Sequence, residues 1–174
     1  MIFYILRHGE TFSSKENDAG YGDKQLTTEI LPEAIPAIIR MANYLKVIHP
    51  DHAAASEILR VQETVAIATR ITGVEFTSDP RLNEMLDERN LEPEYPYSGY
   101  FEDKKNMVID FINEMKTKKY KTVFVATHGI VIAALKHLVT TNSFTVEEVG
   151  DYPEPGVLTI INNTTIEEVN FNKL

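Results

Sequence analysis

Ile2-Phe3-Tyr4-Ile5-Leu6-Arg7-His8-Gly9-Glu10-Thr11 is the stretch whose reading decides the fold. Its first five residues form an unbroken apolar run, rich in β-branched and aromatic types, which predicts a strand buried on both faces. The run ends in an arginine, a histidine and a glycine, so the strand delivers polar chemistry to its own C-terminal edge. Ligands bind at that edge in open α/β sheets, and a glycine there lets backbone come close to a ligand. Arg7 is placed to grip an anion and His8 to react with it.

Outward from this stretch, strand and helix patterns alternate. Residues 12–25 have no sustained period and read as a loop on the rim of the edge. Ile30 to Val47 carries apolar residues at helical spacing, with Pro32 suited to a first turn and Pro36 either marking the true first turn or kinking the helix. A weak strand at His52–Ser56 precedes a helix over Ile58–Ile71 closed by Gly73, then a short strand at Val74–Thr77 and a loop at Asp79–Glu84. A stretch around 88–105 lacks a period and suggests a small lid; a helix is marked by Met107, Val108, Phe111, Ile112 and Met115. Thr122–Thr127 is the second strong strand, and it too ends in a histidine and a glycine, His128 and Gly129, before an apolar helix over Ile130–Val139. A capping box at Thr145–Glu148 and a terminal hairpin of Val157–Ile161 with Thr165–Phe171 complete the chain. The alternation predicts a three-layer α/β/α sandwich around a mainly parallel central sheet.

The 174 residues, 43% of them hydrophobic, suit one domain over 1–174 with a real core. A net charge of −9 argues against a nucleic-acid or membrane-surface binder, so an anionic ligand has to be held by local cations. No apolar run reaches the length of a membrane span, and the N-terminus lacks a basic leader, which points to the cytoplasm. The absence of cysteine removes disulfides, thiol catalysis and thiolate metal sites.

Two histidine–glycine strand ends in one chain are the central clue, and around them the sequence resembles the histidine phosphatase superfamily, the phosphoglycerate-mutase-like proteins. The signature Leu-Arg-His-Gly-Glu-Thr stands at Leu6 to Thr11. The likeness continues through Leu26-Thr27, the block from Ser56 to Thr64, Arg81-Leu82-Asn83-Glu84 and Thr127-His128-Gly129. The resemblance implies that His8 is the nucleophile, that Arg7, Arg60 and His128 bind the phosphoryl group, and that Glu84 is the proton donor, with Gly9, Thr11, Ser14 and Gly129 as further pocket residues. The residue types fit that chemistry. A neutral imidazole that attacks phosphorus splits one hard hydrolysis into two easier steps. Two guanidinium forks and a protonated histidine hold the equatorial oxygens without a metal. A carboxylic acid protonates the leaving oxygen and later deprotonates water, so Glu84 is expected to hold a proton near neutral pH.

Each residue also has a plainer reading. Arg60 alone is a surface residue on a helix, and His128 a satisfied core histidine. Glu84 has rivals in Asp87 and Glu88, and the glycine and tryptophan often found after the family's glutamate are missing. His49, His52 and His137 lie outside every block and read as surface or packing residues. A metal site on His8 and His128 is set aside because neither has a carboxylate at short spacing, and no cofactor is expected.

The departures bear on substrate. Phe12, Ser13 and Ser14 stand where mutases and sugar-phosphate phosphatases commonly carry tryptophan and asparagine, and Glu63 stands where glutamine is frequent. A minimal lid disfavours a mutase, which must keep water from a bisphosphate intermediate. The compact length and the block Asp23–Thr27 resemble the small SixA-type protein phosphohistidine phosphatases, which typically lack the acid assigned to Glu84. The resemblance therefore implies a metal-independent phosphatase acting on a phosphate monoester. SixA-like activity, mutase activity and a non-catalytic phospho-ligand binder are the alternatives. The expected partner is a phosphorylated small molecule or a phosphoprotein, not nucleic acid or membrane, and the protein is expected as a monomer or homodimer.

Overall fold

A strand that is apolar on both faces needs cover on both, and the chain supplies it. The computed structural model describes residues 1–16, 27–86 and 96–173. Strand β1 (Ile2–Arg7) lies inside a six-stranded sheet with β2 (His52–Ala55), β3 (Thr77–Ser78), β4 (Thr122–Thr127), β5 (Val157–Asn162) and β6 (Thr165–Asn170), in the order β3-β2-β4-β1-β5-β6. β1 runs parallel to β4, from Ile2 against Thr122 to Arg7 against Thr127. Both strands therefore stop at one level and hand their next residues, His8 and His128, to the same edge. β2 is parallel to β4 and ends with Ala55 beside Ala126, so Ser56 emerges at that edge too. Only β5 and β6 are antiparallel to their neighbours, which keeps the sheet mainly parallel.

Successive side chains point to opposite faces of a strand. Phe3, Ile5, Val123 and Val125 pack in one cluster with the buried stripes of α4 (Tyr97–Thr117) and α5 (Gly129–Thr140). Leu6, Phe124, Ala126 and Leu158 face the other way, against Met41 and Leu45 of α2 (Ile35–Leu45) and Val61 and Val65 of α3 (Leu59–Thr72). The result is the expected three-layer sandwich. No described helix is long and apolar enough to cross a membrane.

Four local expectations change, the first being that the short strand expected at Val74–Thr77 pairs only over Thr77–Ser78. Residues 12–16 form a one-turn helix, α1 (Phe12–Glu16), because Thr11 and Ser14 cap one another: Thr11 N–H donates to Ser14 Oγ at 2.8 Å and Ser14 N–H to Thr11 Oγ1 at 3.1 Å. The helix expected from Ile30 opens as a single 3-10 turn at Pro32–Ala34, and the α-helix proper begins at Ile35 with Pro36 in its first turn, where a proline costs no hydrogen bond. Residues 97–105 of the expected lid are the first turns of α4: Pro96 is the N-cap, and Phe101 extends the buried stripe that runs on through Val108, Phe111, Ile112 and Met115. Gly99 and the charged run at Glu102–Lys105 hide that period in the sequence. The remainder of the lid, residues 88–95, and the block Asp23–Leu26 lie outside the described residues.

Candidate active site

His8, the first residue past β1, is buried, and its backbone N–H donates to Thr127 O at 3.0 Å, which pins it to the end of β4. Its Nδ1 lies 2.8 Å from the Gly9 carbonyl. A carbonyl only accepts, so Nδ1 carries the proton and Nε2 keeps the lone pair. Gly9 is held in turn: its N–H donates to Thr64 Oγ1 at 2.9 Å, and that hydroxyl donates to the Arg60 carbonyl at 2.8 Å. A Cβ on Gly9 would lie 2.9 Å from Ile38 Cδ1 and 3.1 Å from Ala34 Cβ, so a side chain here would have to push aside the tip of Ile38 and the 3-10 turn.

Four other predicted residues meet His8. The rings of His8 and His128 have centroids 5.2 Å apart. Arg60, in the first turn of α3, places Nη2 2.9 Å from Glu84 Oε2. His128 Nδ1 lies 3.2 Å from the same Oε2, off the hydrogen-bond axis and with no other partner among the described residues. His128 Nε2 lies 2.8 Å from Ser56 Oγ, which donates to Asn83 Oδ1 at 3.0 Å. Glu84 follows a 3-10 turn at Pro80–Leu82 whose start is capped by Asp79, the side chain of which accepts from Arg81 N–H. Arg7 closes the far side. Its Nη1 donates to Pro153 O at 2.8 Å, its guanidinium lies 4.8 Å from the centre of the Tyr152 ring, and its Nε is buried without a partner among the described residues.

The secondary pocket residues divide. Gly129 begins α5 beneath Tyr152, where a Cβ would lie 2.7 Å from the ring, so its lack of a side chain makes room for the shelf under Arg7. Thr11 and Ser14 spend their hydroxyls on each other, although Ser14 lines, with Arg7, Gly9 and Glu33, a cavity of about 390 Å³ beside the site. Asp87 and Glu88 lie outside the described residues. His49 is exposed, His52 stacks on Tyr120 at 5.3 Å, and His137 pairs with Glu148 and Asp151, all away from the site. Asn83, Tyr152 and Pro153 were not singled out by the sequence. Asn83 has the one available signal, its place immediately before Glu84.

Electrostatics sort the groups. Burial, then the charges of His128, Arg60 and Arg7, hold the His8 imidazolium well below its ordinary value, so His8 is neutral with a lone pair at Nε2. Burial also lowers His128 and outweighs the Glu84 carboxylate that pulls it back up. At Glu84 burial favours the neutral acid, but His128 and Arg60 together overcome it and bring the carboxyl down to about 2. This corrects the expectation from sequence: in the unliganded site Glu84 is ionised and holds no proton to give. Burial lowers Arg7 without discharging it.

The histidines do meet a carboxylate once the chain is folded, contrary to the expectation from spacing. His8, Glu84 and His128 bring donor atoms within 4.8 Å of one another, so folding supplies the carboxylate that spacing does not. The donor set still suits an anion better. Glu84 Oε2 is already engaged by Arg60, and the charge of Arg7 reaches both histidines. The two guanidiniums form a cradle for a tetrahedral oxyanion, with the lone-pair Nε2 of His8 as a nucleophile beneath it.

The family model of the histidine phosphatase superfamily (branch 1) matches residues 3–96. The chain belongs to the histidine phosphatase superfamily. Among solved structures it is similar to a putative alpha-ribazole-5'-P phosphatase from Escherichia coli, with 20% identity over 98% of this chain and 95% of that one and a TM-score of 0.73. It is also similar to a mycobacterial glucosyl-3-phosphoglycerate phosphatase, with 18% identity over 91% and 88% of the two chains and a TM-score of 0.67. The protein histidine phosphatase SixA, solved with tungstate, aligns over 99% of both chains with 13% identity and a TM-score of 0.70. At such identities these likenesses show the phosphoglycerate mutase-like fold alone. No curated protein matches the sequence.

Proposed function

We propose that this histidine phosphatase hydrolyses a phosphate monoester through a phosphohistidine on His8, without a metal. The observation that carries the reading is the neutral His8, with Nδ1 bonded to Gly9 O and Nε2 free among the described residues, under the charges of Arg7, Arg60 and His128. In the first step the Nε2 lone pair forms a bond to phosphorus, the ester P–O bond breaks, and the leaving oxygen takes a proton from Glu84. In the second step Glu84 takes a proton from water, the hydroxide displaces Nε2 from phosphorus, and His8 returns to neutral. The Gly9 carbonyl keeps Nδ1–H in place throughout and steadies the positive charge on the ring. The guanidiniums and the protonated His128 hold the equatorial oxygens; removing one such donor costs on the order of 10²–10³ in rate.

Glu84 must gain a proton for the first step. A bound dianion supplies the means, because it draws Arg60 toward its own oxygens and sets negative charge beside the carboxyl, and both effects raise Glu84. The one proton the anion draws in sits on His128 Nδ1 while the anion is bound and, with Oε2 only 3.2 Å away, passes through Glu84 to the leaving oxygen as the ester bond breaks.

Hydrolysis of p-nitrophenyl phosphate in EDTA, lost in His8→Ala, tests the reading; full activity in that variant ends it. One observation favours a second reading. An ionised Glu84 suits a phosphohistidine substrate, whose leaving nitrogen needs less protonation. Glu84→Gln separates the two. A monoesterase loses far more activity on alkyl phosphates than on p-nitrophenyl phosphate or phosphohistidine, because poor leaving groups depend on the acid. Equal losses on all three place the acid elsewhere.

A further inference from the structure

His8 and His128 are pinned in opposite tautomers by different neighbours, and the neighbour of His128 has had no role so far. Ser56 is fully buried, and its hydroxyl has one proton and two lone pairs to place. Three groups surround Oγ: Asn83 Oδ1 at 3.0 Å, Ile58 N–H at 3.2 Å and His128 Nε2 at 2.8 Å. The asparagine leaves no choice of direction. Its Oδ1 also accepts from Glu57 N–H at 2.9 Å while its Nδ2 donates to Glu57 Oε2 at 3.1 Å, so the oxygen faces Ser56. The serine proton therefore goes to Asn83, one lone pair takes Ile58 N–H, and the other must take a proton from His128 Nε2.

We propose that Ser56 and Asn83 are positioning residues that fix the tautomer of His128, so that this histidine can donate to a phosphoryl oxygen only as an imidazolium. With Nε2–H committed to Ser56, neutral His128 turns a bare lone pair at Nδ1 toward the pocket and has no proton to offer there. A second proton, on Nδ1, creates the donor and the positive charge together. The groups facing that proton are Glu84 at 3.2 Å, the His8 ring at 5.2 Å and the charges of Arg60 and Arg7, while Ser56 on the other side is neutral. The pair thus couples oxyanion binding to protonation of His128. An imidazole released from Ser56 can move its single proton to Nδ1 and donate while neutral. The role in turnover rests on the phosphatase reading; the tautomer does not.

The test has two arms. In wild-type protein labelled with ¹⁵N-histidine, with the His128 signals assigned by their loss in His128→Gln, the neutral form is expected to show a protonated Nε2 and an unprotonated Nδ1. A neutral form protonated at Nδ1 overturns the proposal without any second variant. In the other arm sulfate, a dianion over the whole range, is titrated from pH 5 to 9. Wild-type affinity is expected to fall by up to tenfold per pH unit once His128 deprotonates. Ser56→Ala and Asn83→Leu flatten that fall, whereas Asn83→Asp, which keeps an acceptor for the serine proton, restores it. Unchanged slopes in both Ser56→Ala and Asn83→Leu overturn the proposal. A protein that hydrolyses no ester yet shows the expected tautomer and slopes defeats the proposed function and leaves this inference standing.

Discussion

Thr64→Val removes one oxygen from the join between helix α3 and the signature turn. Thr64 is 1% exposed; its Oγ1 accepts the Gly9 N–H at 2.9 Å and donates to the Arg60 carbonyl at 2.8 Å. Valine keeps the shape. The Arg60 carbonyl keeps its partner within the helix, but the Gly9 N–H is left without its acceptor. A buried donor stripped of its partner costs about 1–3 kcal/mol. For a chain of this size each kcal/mol moves Tm by about 2–4 °C, so thermal unfolding followed by circular dichroism should show a drop of roughly 2–12 °C. The loss also reaches the chemistry, because the Gly9 carbonyl holds His8 Nδ1–H. If half of the cost falls on the aligned turn, kcat on p-nitrophenyl phosphate drops about two- to thirteenfold. KM should move little, since Arg7 is held from the other side by Pro153. Thr64→Ser keeps the hydroxyl and should keep kcat. A Thr64→Val protein that melts with the wild type, or that melts lower at unchanged kcat, would refute the claim that this bond sets the nucleophile's turn.

Gly129→Ala drives a Cβ to within 2.7 Å of the Tyr152 ring, and displacing that ring should weaken the shelf beneath Arg7; kcat/KM is expected to fall by about tenfold, with KM carrying most of it. Glu84 has its folded-state pKa depressed to about 2, so it favours the folded state above the unfolded carboxyl's value and loses that contribution as pH falls through about 2. Glu84→Gln should therefore flatten the decline of Tm between pH 4.5 and pH 2, a decline that persists unchanged if the ion pairs with Arg60 and His128 are idle. His8 is also depressed, so the unfolded chain takes up its proton first as pH falls below about 6.5 and the folded state loses stability there; His8→Asn should lessen the loss of Tm between pH 6.5 and pH 5.

The β1 and β4 patterns were legible because strands buried on both faces read as plain apolar runs, and because each ends in a histidine and a glycine whose purpose is visible once the two are compared. Their parallel register, which puts His8 and His128 at one level, is a property of pairing that neither segment states. Gly73 was legible as a C-cap and takes a φ of 74°, a conformation that disfavours other residues. The first turns of α4 were not legible, because one glycine and a run of charges interrupt the stripe that Phe101 rejoins. At the site, residue identities were readable and proton positions were not. Nothing in the order Arg81-Leu82-Asn83-Glu84 says that Arg60 and His128 will both lean on the Glu84 carboxylate, or that Asn83 will direct the Ser56 hydroxyl.

The charges of the site lead to one more expected outcome. Without ligand, the guanidiniums of Arg7 and Arg60 stand against the Glu84 carboxylate, with both histidines neutral, so these five groups carry a single net positive charge. An incoming dianion leaves one negative charge uncompensated in a pocket whose histidines are fully buried or nearly so. Buried unbalanced charge is costly, and titratable groups respond by changing protonation. The pair His128 and Glu84 is placed to respond, with Nδ1 and Oε2 3.2 Å apart and each next to the space the anion fills. Binding of sulfate near pH 7 should therefore draw about one proton from the buffer for each ion bound. Calorimetry in buffers of different ionisation enthalpy reads that number as the slope of observed enthalpy against buffer enthalpy. A wild-type slope near zero would mean that the site meets its ligand with its protons already in place, and Glu84 would then have to be replaced as the acid in the first step.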